Sequence, residues 1–370
     1  MNKKFWLTAF TLTGTMIGAG ILGLPYVFSK SGFLIGMFWI LFFGGILIYV
    51  KLCMGEVTLR TKGIHQLPGY AKIYLGKNGK RIMFFSMVFG IYSALLAYLI
   101  GEGQSLSKLF TGNLDYAIFF AVGFWVIMTL LLREGLKGLK KVEAYGVLAI
   151  IFIVVGIFLW FASEIHYENL SYFNKENFFL PLGVTLFALL GFSSIPELRR
   201  EIKGSEKLLR KAIITGALIS IVIYFIFTFS FVGVYGNNIS EVATLSSGRF
   251  ISLLGAFTML TSYFVLSFVL KDIFVFDLKK SKTISFVFVS VVPLILYLFV
   301  SFFKLASFVS VLGIGGVISG GLTGIMILVM SMKAKKKSRL KPSYKMPLNW
   351  ITVFVLSLIF IIGCIIEIFL

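Results

Sequence analysis

The sequence predicts an all-α polytopic membrane protein of eleven transmembrane helices, arranged as a five-plus-five inverted repeat whose first and sixth helices are discontinuous. Three observations carry that prediction. Apolar residues make up 58% of the 370 and charged residues 14%, against about 25% charged in soluble domains. Apolar runs of roughly the 20 residues needed to cross a bilayer recur along the whole chain. Two of those runs, in corresponding places of the two halves, are interrupted by glycine and proline.

Composition already removes several classes. With 41 phenylalanines and a mean hydropathy of +0.98, no soluble fold of this length has interior enough to hide the apolar surface. Cys53 and Cys364 are the only cysteines and lie in apolar runs, which argues against a disulfide framework or a thiolate metal site. His65 and His166 are far apart in polar stretches, so a histidine-based metal or catalytic centre is not expected. No cofactor is anticipated beyond a coupling ion, and an intramembrane enzyme lacks its residues.

The spans fall, in order, at 5–28, 33–56, 82–109, 115–132 and 145–162, then 178–200, 210–235, 250–276, 284–302, 305–331 and 348–369. The first repeat is read as 1–163 and the second, inverted repeat as 164–332. Residues 333–370 form a basic loop and an eleventh helix. The stretch 57–80 reads as the longest inner loop. Trp6, Trp39, Trp160 and Trp350 lie near span ends, as an interfacial aromatic belt would place them.

The formal charge of +20 raises the question of a nucleic-acid partner, which its placement answers. With the N-terminus cytoplasmic, thirty of the 35 Lys and Arg fall on the inner side and five on the outer. That asymmetry orients a membrane protein and meets the anionic inner leaflet. The partners expected are therefore the lipid bilayer and a small substrate, with no nucleic acid and no obligate protein partner. The location is the plasma membrane, with the C-terminus outside. Lys51, near the inner end of span 2, is expected to snorkel to the interface.

Span 1 contains Gly14-Thr-Met-Ile-Gly18-Ala-Gly20 followed by Pro25. Span 6 contains Leu190-Gly191-Phe192-Ser193-Ser194-Ile195-Pro196-Glu197. Glycine and proline weaken a helix, and the sixth span follows the first by five, an odd number, so the broken helices run in opposite directions. An unwound segment frees backbone groups where the bilayer tolerates them only inside a protein-lined cavity. The half-helix beginning near Gly18, Ala19 and Gly20 aims its N–H groups and positive dipole end at an anion. The carbonyls from Gly14 to Ile17 face a cation or an ammonium, and an α-amino acid zwitterion fits that pair of poles. Gly14-xxx-Gly18 alone is also a helix-packing motif. The glycines of span 10 (Gly313, Gly315, Gly316, Gly320, Gly321 and Gly324) read as a close-packing surface or a gate hinge without ligand contact.

At these residues the sequence resembles the amino acid/auxin permease family of the amino acid–polyamine–cation superfamily, and most closely its bacterial aromatic amino acid permease branch. G-T-M-I-G-A-G-I-L-G-L-P (Gly14 to Pro25) is similar to that branch's first-helix signature. F-A-L-L-G-F-S-S-I-P-E-L (Phe187 to Leu198) and T-S-Y-F-V-L-S-F-V-L-K-D (Thr261 to Asp272) resemble its sixth and eighth helices. The resemblance covers the whole chain in layout and three helices in motif. It implies a LeuT-like fold and secondary, cation-coupled transport of amino acids, neutral or aromatic.

In that picture the carboxylate sits on the N–H groups of Gly18, Ala19 and Gly20. The ammonium meets carbonyls near Gly14 and Thr15 and from Phe187 to Leu190. Gly191, Phe192, Ser193, Tyr92 and Tyr98 shape the side-chain pocket. Thr261 and Ser262 resemble the hydroxyl pair of a sodium site completed by carbonyls of Gly14 and Ile17. Proton-driven relatives carry the same pair, and Gly14 stands where sodium-coupled relatives often have an amide, so proton and sodium both stay open.

Ionisable residues inside spans are functional candidates. Glu197, just past the second break, is either a proton-exchanging carboxyl or the partner of Arg199, Arg200 or Lys203. Glu102, in the outer third of span 3, is a candidate for the coupling path. Glu56, Glu143 and Asp272 lie beside Arg60, Lys140–Lys141 and Lys271 and read as inner salt bridges. The alternative to a transporter is an amino-acid-sensing receptor subunit of the same fold, of the spore-germination type.

Overall fold

The computed structural model describes residues 3–134 and 139–369, with the side chains of 134–145, 276 and 277 outside that description. Among the described residues there are helices and no strands. The expected charges at Lys140, Lys141 and Glu143 therefore lie outside the described side chains.

Span 1 is two helices, α1 (Lys3–Met16) and α2 (Ala19–Ser31), bent by 57° at their junction. There follow α3 (Phe33–Arg60), α4 (Leu67–Thr111), α5 (Ala117–Glu134) and α6 (Leu139–Phe161), then a short α7 (Tyr167–Ser171). Span 6 is again two pieces, α8 (Pro181–Ala188) and α9 (Ile195–Glu201). Next come α10 (Leu209–Tyr235), α11 (Arg249–Asp272) and α12 (Lys282–Phe303). Then α13 (Phe308–Gly315) and α14 (Gly321–Lys337) are joined by a wide π-helical turn, and α15 (Trp350–Phe369) ends the chain. Among the described residues nine helices are long and apolar enough to cross a bilayer, and the bent pair α1–α2 makes a tenth. Ala117–Arg133 is apolar but shorter than that criterion. Eleven spans are thus not reached on length and composition alone.

The stretch 57–80 departs from the expected loop. α3 continues to Arg60, and Pro68 at the start of α4 suits a first helical turn, where a missing N–H costs nothing. The helix then kinks at Gly76, whose φ of +80 is open to glycine without penalty. The aromatic-belt reading holds unevenly. Trp160 and Trp350 are exposed, whereas Trp39 is buried, stacked on Phe43, and donates its indole N–H to Phe178 O at 2.7 Å.

The basic segments gather at one end through hydrogen bonds. Arg199 donates to Thr61 O and Gly63 O, Lys4 to Lys203 O, and Ser343 to Glu206 O. Glu56, one of the acids expected to form an inner salt bridge, pairs with Arg60 at 2.8 Å and also accepts the backbone N–H of Met346 at 2.8 Å. That single carboxylate ties the loop between α14 and α15 to the end of α3.

The glycines of span 10 do pack closely. A Cβ on Gly315 would meet Ser93, one on Gly316 would run into Gly183 O of α8, and those on Gly321 and Gly324 would meet Phe360 of α15. Lipid offers no hydrophobic drive for helix association, so close backbone approach supplies the contact instead.

Candidate substrate-binding site

The two breaks are built from different local rules. Ile17 N–H closes the last bond of α1 on Thr13 O, and Gly18 then leaves the helical region at φ −140, ψ −139. α2 therefore restarts at Ala19 with its first N–H groups unclaimed by its own helix. In span 6 the chain leaves α8 at Leu189 and turns at Gly191, with φ +133, a region where a side chain would be strained. A single 3₁₀ turn over Phe192–Ser194 follows, and Pro196 sits in the first turn of α9.

Two neighbouring helices complete the breaks. Tyr224 of α10 sits between both, its hydroxyl 2.6 Å from Met16 O and 2.8 Å from Ala188 O. Lys51 of α3 is 1% exposed and donates to Leu189 O at 2.7 Å. Lys51 does not snorkel: the orphan carbonyl of the broken helix gives the ammonium an acceptor in the interior. Removing the Tyr224 hydroxyl leaves a buried carbonyl without a donor, which costs ~1–3 kcal/mol in protein interiors. The mean for hydrogen bonds inside membranes is only ~0.6. We expect Tyr224→Phe to lower stability by about 1 kcal/mol, read from the denaturation midpoint in detergent. An unchanged midpoint would show that the staple contributes nothing.

Between the breaks lies a cavity of about 740 Å³ including its mouth, within the range of small-molecule sites. Thr15, Met16 and Gly18 line it from the first break, and Phe187, Leu190, Gly191, Phe192 and Ser193 from the second. α4 contributes Met87, Gly90, Ile91, Ala94 and Tyr98, and the segment after α13 contributes Ser319 and Thr323. Among the described residues no charged side chain lines it. The Tyr98 hydroxyl faces the Ala19 backbone and the Ser262 side chain. It would lie 2.7 Å from a Cβ on Gly18.

Most of the expected substrate residues therefore come together. Four of them, Gly14, Ala19, Gly20 and Tyr92, do not line the cavity. Tyr92 is turned away, its hydroxyl donating to Phe288 O of α12 at 3.1 Å, and Ile91 and Ala94 hold the place expected for it. Gly20 faces α8, where a Cβ would come 2.6 Å from Ala188 Cα, so its absent side chain serves helix contact. None of the six span-10 glycines lines the cavity, although their neighbours Ser319 and Thr323 do. Tyr98 was expected there, but Met87, Ile91 and Ala94, which share its helix face at three- and four-residue spacing, were not.

A second cavity, about 600 Å³ with its mouth, is lined by Gly14, Ile17, Thr261 and Ser262 together with Thr15 and Tyr98. The candidate cation ligands are thus neighbours. Ser262 Oγ stands 3.5 Å from Ile17 O, while the Thr261 hydroxyl bonds back to Thr258 O at 3.1 Å.

A vestibule toward the lysine-rich end shares Thr15, Ser193 and Leu266 with the central cavity and adds Gln66, Glu197 and Arg200. Glu197 is the partner of Arg200 at 2.8 Å, its side chain 33% exposed. Glu102 is 1% exposed, and its Oε1 has no hydrogen-bond partner. It belongs to none of these linings.

Residues 1–269 match the tryptophan/tyrosine permease family. The chain belongs to that family. Glutamine transporter 2 of Aliivibrio fischeri is 22% identical over 356 residues, 91% of each chain. Tyrosine-specific transport system 1 of Haemophilus influenzae is 27% identical over 259 residues, 66% of this chain and 63% of the relative. The low affinity tryptophan permease of Escherichia coli O157:H7 is 22% identical over 282 residues, 73% of this chain and 67% of the relative. Among solved structures, MhsT in complex with L-phenylalanine superposes with a TM-score of 0.71 at 16% identity, covering 100% of this chain and 98% of that one. This permease is therefore a multi-pass membrane transporter of LeuT-like fold, and not an enzyme.

Proposed function

We propose that this permease takes up amino acids with neutral or aromatic side chains across the plasma membrane, driven by a proton or sodium gradient. The N-terminus faces the cytoplasm and the C-terminus the outside. The observation that carries the reading is one cavity, free of charged side chains, receiving both helix breaks at once. The start of α2 offers N–H groups to a carboxylate. Across the cavity, Ala188 O and Leu189 O are engaged by Tyr224 and Lys51. Leu190 O has no hydrogen-bond partner among the described residues, which leaves it to the ligand's ammonium. The uncharged walls of Met87, Ile91, Ala94 and Phe192 suit an apolar or aromatic side chain. The tyrosine, tryptophan and glutamine transporters among its relatives support the substrate class.

Transport then proceeds by alternating access. The bundle of α1–α2, α3, α8–α9 and α10 rocks against α4, α5, α11 and α12 around the fixed site. The cation binds at Gly14, Ile17, Thr261 and Ser262, or its proton is carried by Glu102 or Glu197, and differential binding sets the direction. Uptake of a labelled amino-acid panel into proteoliposomes, with proton and sodium gradients imposed separately, tests this. We expect concentrative uptake of at least one neutral amino acid under one of the two gradients. Binding without concentrative uptake under either gradient would sink it in favour of a receptor.

A further inference from the structure

Lys51 is one of the largest fully buried side chains in the permease, and no carboxylate pairs with it among the described residues. The acid nearest in sequence, Glu56, is occupied by Arg60 and by the Met346 backbone. Burying an ammonium without a counter-ion is costly unless fixed dipoles replace its water. Here the replacement is the end of α8. The Lys51 Nζ donates to Leu189 O at 2.7 Å, the carboxyl-terminal, negative end of a half-helix that has no continuing turn to absorb its carbonyls. Nζ also lies 5.8 Å from the centroid of the Phe192 ring, within cation–π range. Its Cε would be 3.5 Å from a Cβ on Gly191. Leu189, Gly191 and Phe192 are the break itself, and the last two line the cavity. Lys51 does not line it. The lysine thus stands behind the break, gripping it from α3.

We propose that Lys51 is a positioning residue of the substrate site. By holding Leu189 O it directs that carbonyl away from the cavity, leaves Leu190 O for the ligand, and seats the Phe192 ring on the cavity wall. This rests on the amino-acid reading only in naming the ligand; the positioning itself is independent of it.

The test compares the full-length wild type with Lys51→Met, which keeps the length and loses the donor, and Lys51→Arg, which keeps cation and donors. In proteoliposomes we expect Lys51→Met to raise KM for the transported amino acid about tenfold or more, the ratio that 1.4 kcal/mol represents. Vmax per folded molecule should stay within about threefold, and Lys51→Arg should recover part of the loss. A readout without substrate accompanies it. With Cys53→Ala and Cys364→Ala as background, Ser193→Cys reports the break through its thiol-labelling rate in detergent. We expect that rate to change about tenfold on adding Lys51→Met and to stay near the Lys51 value on adding Lys51→Arg. An altered labelling rate in a protein that transports no amino acid would keep the positioning role and remove the amino-acid reading. Unchanged KM and labelling rate in Lys51→Met, with only the yield of folded protein reduced, would overturn the proposal and leave a packing lysine.

Discussion

Replacing Gly18 with valine is expected to cut uptake more than a hundredfold, about 2.7 kcal/mol of lost transition-state stabilisation, while the protein still inserts and stays folded. A Cβ there would stand 2.7 Å from the Tyr98 hydroxyl and 3.2 Å from Ser262 Oγ. Those are far ends of side chains beside a cavity, so they can move aside without shifting a helix. The cost falls on the site instead. Valine's two further methyl groups would add bulk at Gly18, which lines the central cavity, where the proposed function seats the substrate. They would also push Tyr98 from its place facing Ala19 and Ser262. Gly18→Ala should lie between, since it adds the Cβ alone. The check is proteoliposome uptake beside the denaturation midpoint of the same preparation. Uptake by Gly18→Val within tenfold of wild type would remove Gly18 from the site.

The first break was legible because glycines concentrate where backbone must be reached: the junction falls at Gly18 inside the predicted motif. The second was legible for a related reason, since Gly191 takes a φ that only glycine adopts freely. The helical phase of span 3 was not legible. Ile91 and Tyr92 differ by one residue, or about 100° around the helix, and a helix apolar on all sides carries no signal for which face meets the cavity. Tyr92 was therefore placed in the site on its chemistry, while its hydroxyl reaches α12. Lys51 was misread for a physical reason too. A lysine near the end of a span ordinarily reaches water, and only a free carbonyl 138 residues away in sequence makes its burial tolerable. The helical course of 67–76 was hidden by Pro68, Gly69 and Gly76, which punctuate it like a loop, although Pro68 falls in the first turn and Gly76 only kinks the helix.

Gly20 stands two residues from Gly18 in the same motif, and its replacement is expected to fail differently. A Cβ on Gly20 would come 2.6 Å from Ala188 Cα, 2.7 Å from Ala188 Cβ and 3.2 Å from Ala188 N. Two of those three atoms belong to the backbone of α8, which cannot rotate away. α2 and α8 would have to separate, and they are the half-helices on which both breaks hang. Overpacking of a tight interior costs ~1–3 kcal/mol. Gly20→Val, which adds two methyl groups beyond the Cβ, is expected at or above the upper end of that range. Its midpoint should fall and its folded yield with it, with uptake lost as a consequence. Gly20→Ala isolates the contact. Combined with Ala188→Gly, which removes the neighbouring Cβ, it should recover part of its deficit, with a coupling energy of about 0.5 kcal/mol or more across the four-membered cycle. Recovery would be incomplete because the clash with Ala188 Cα remains. A Gly20→Ala protein as stable as wild type would mean the two half-helices do not meet this closely. The motif would then act through its N–H groups at Gly20 as well as at Gly18.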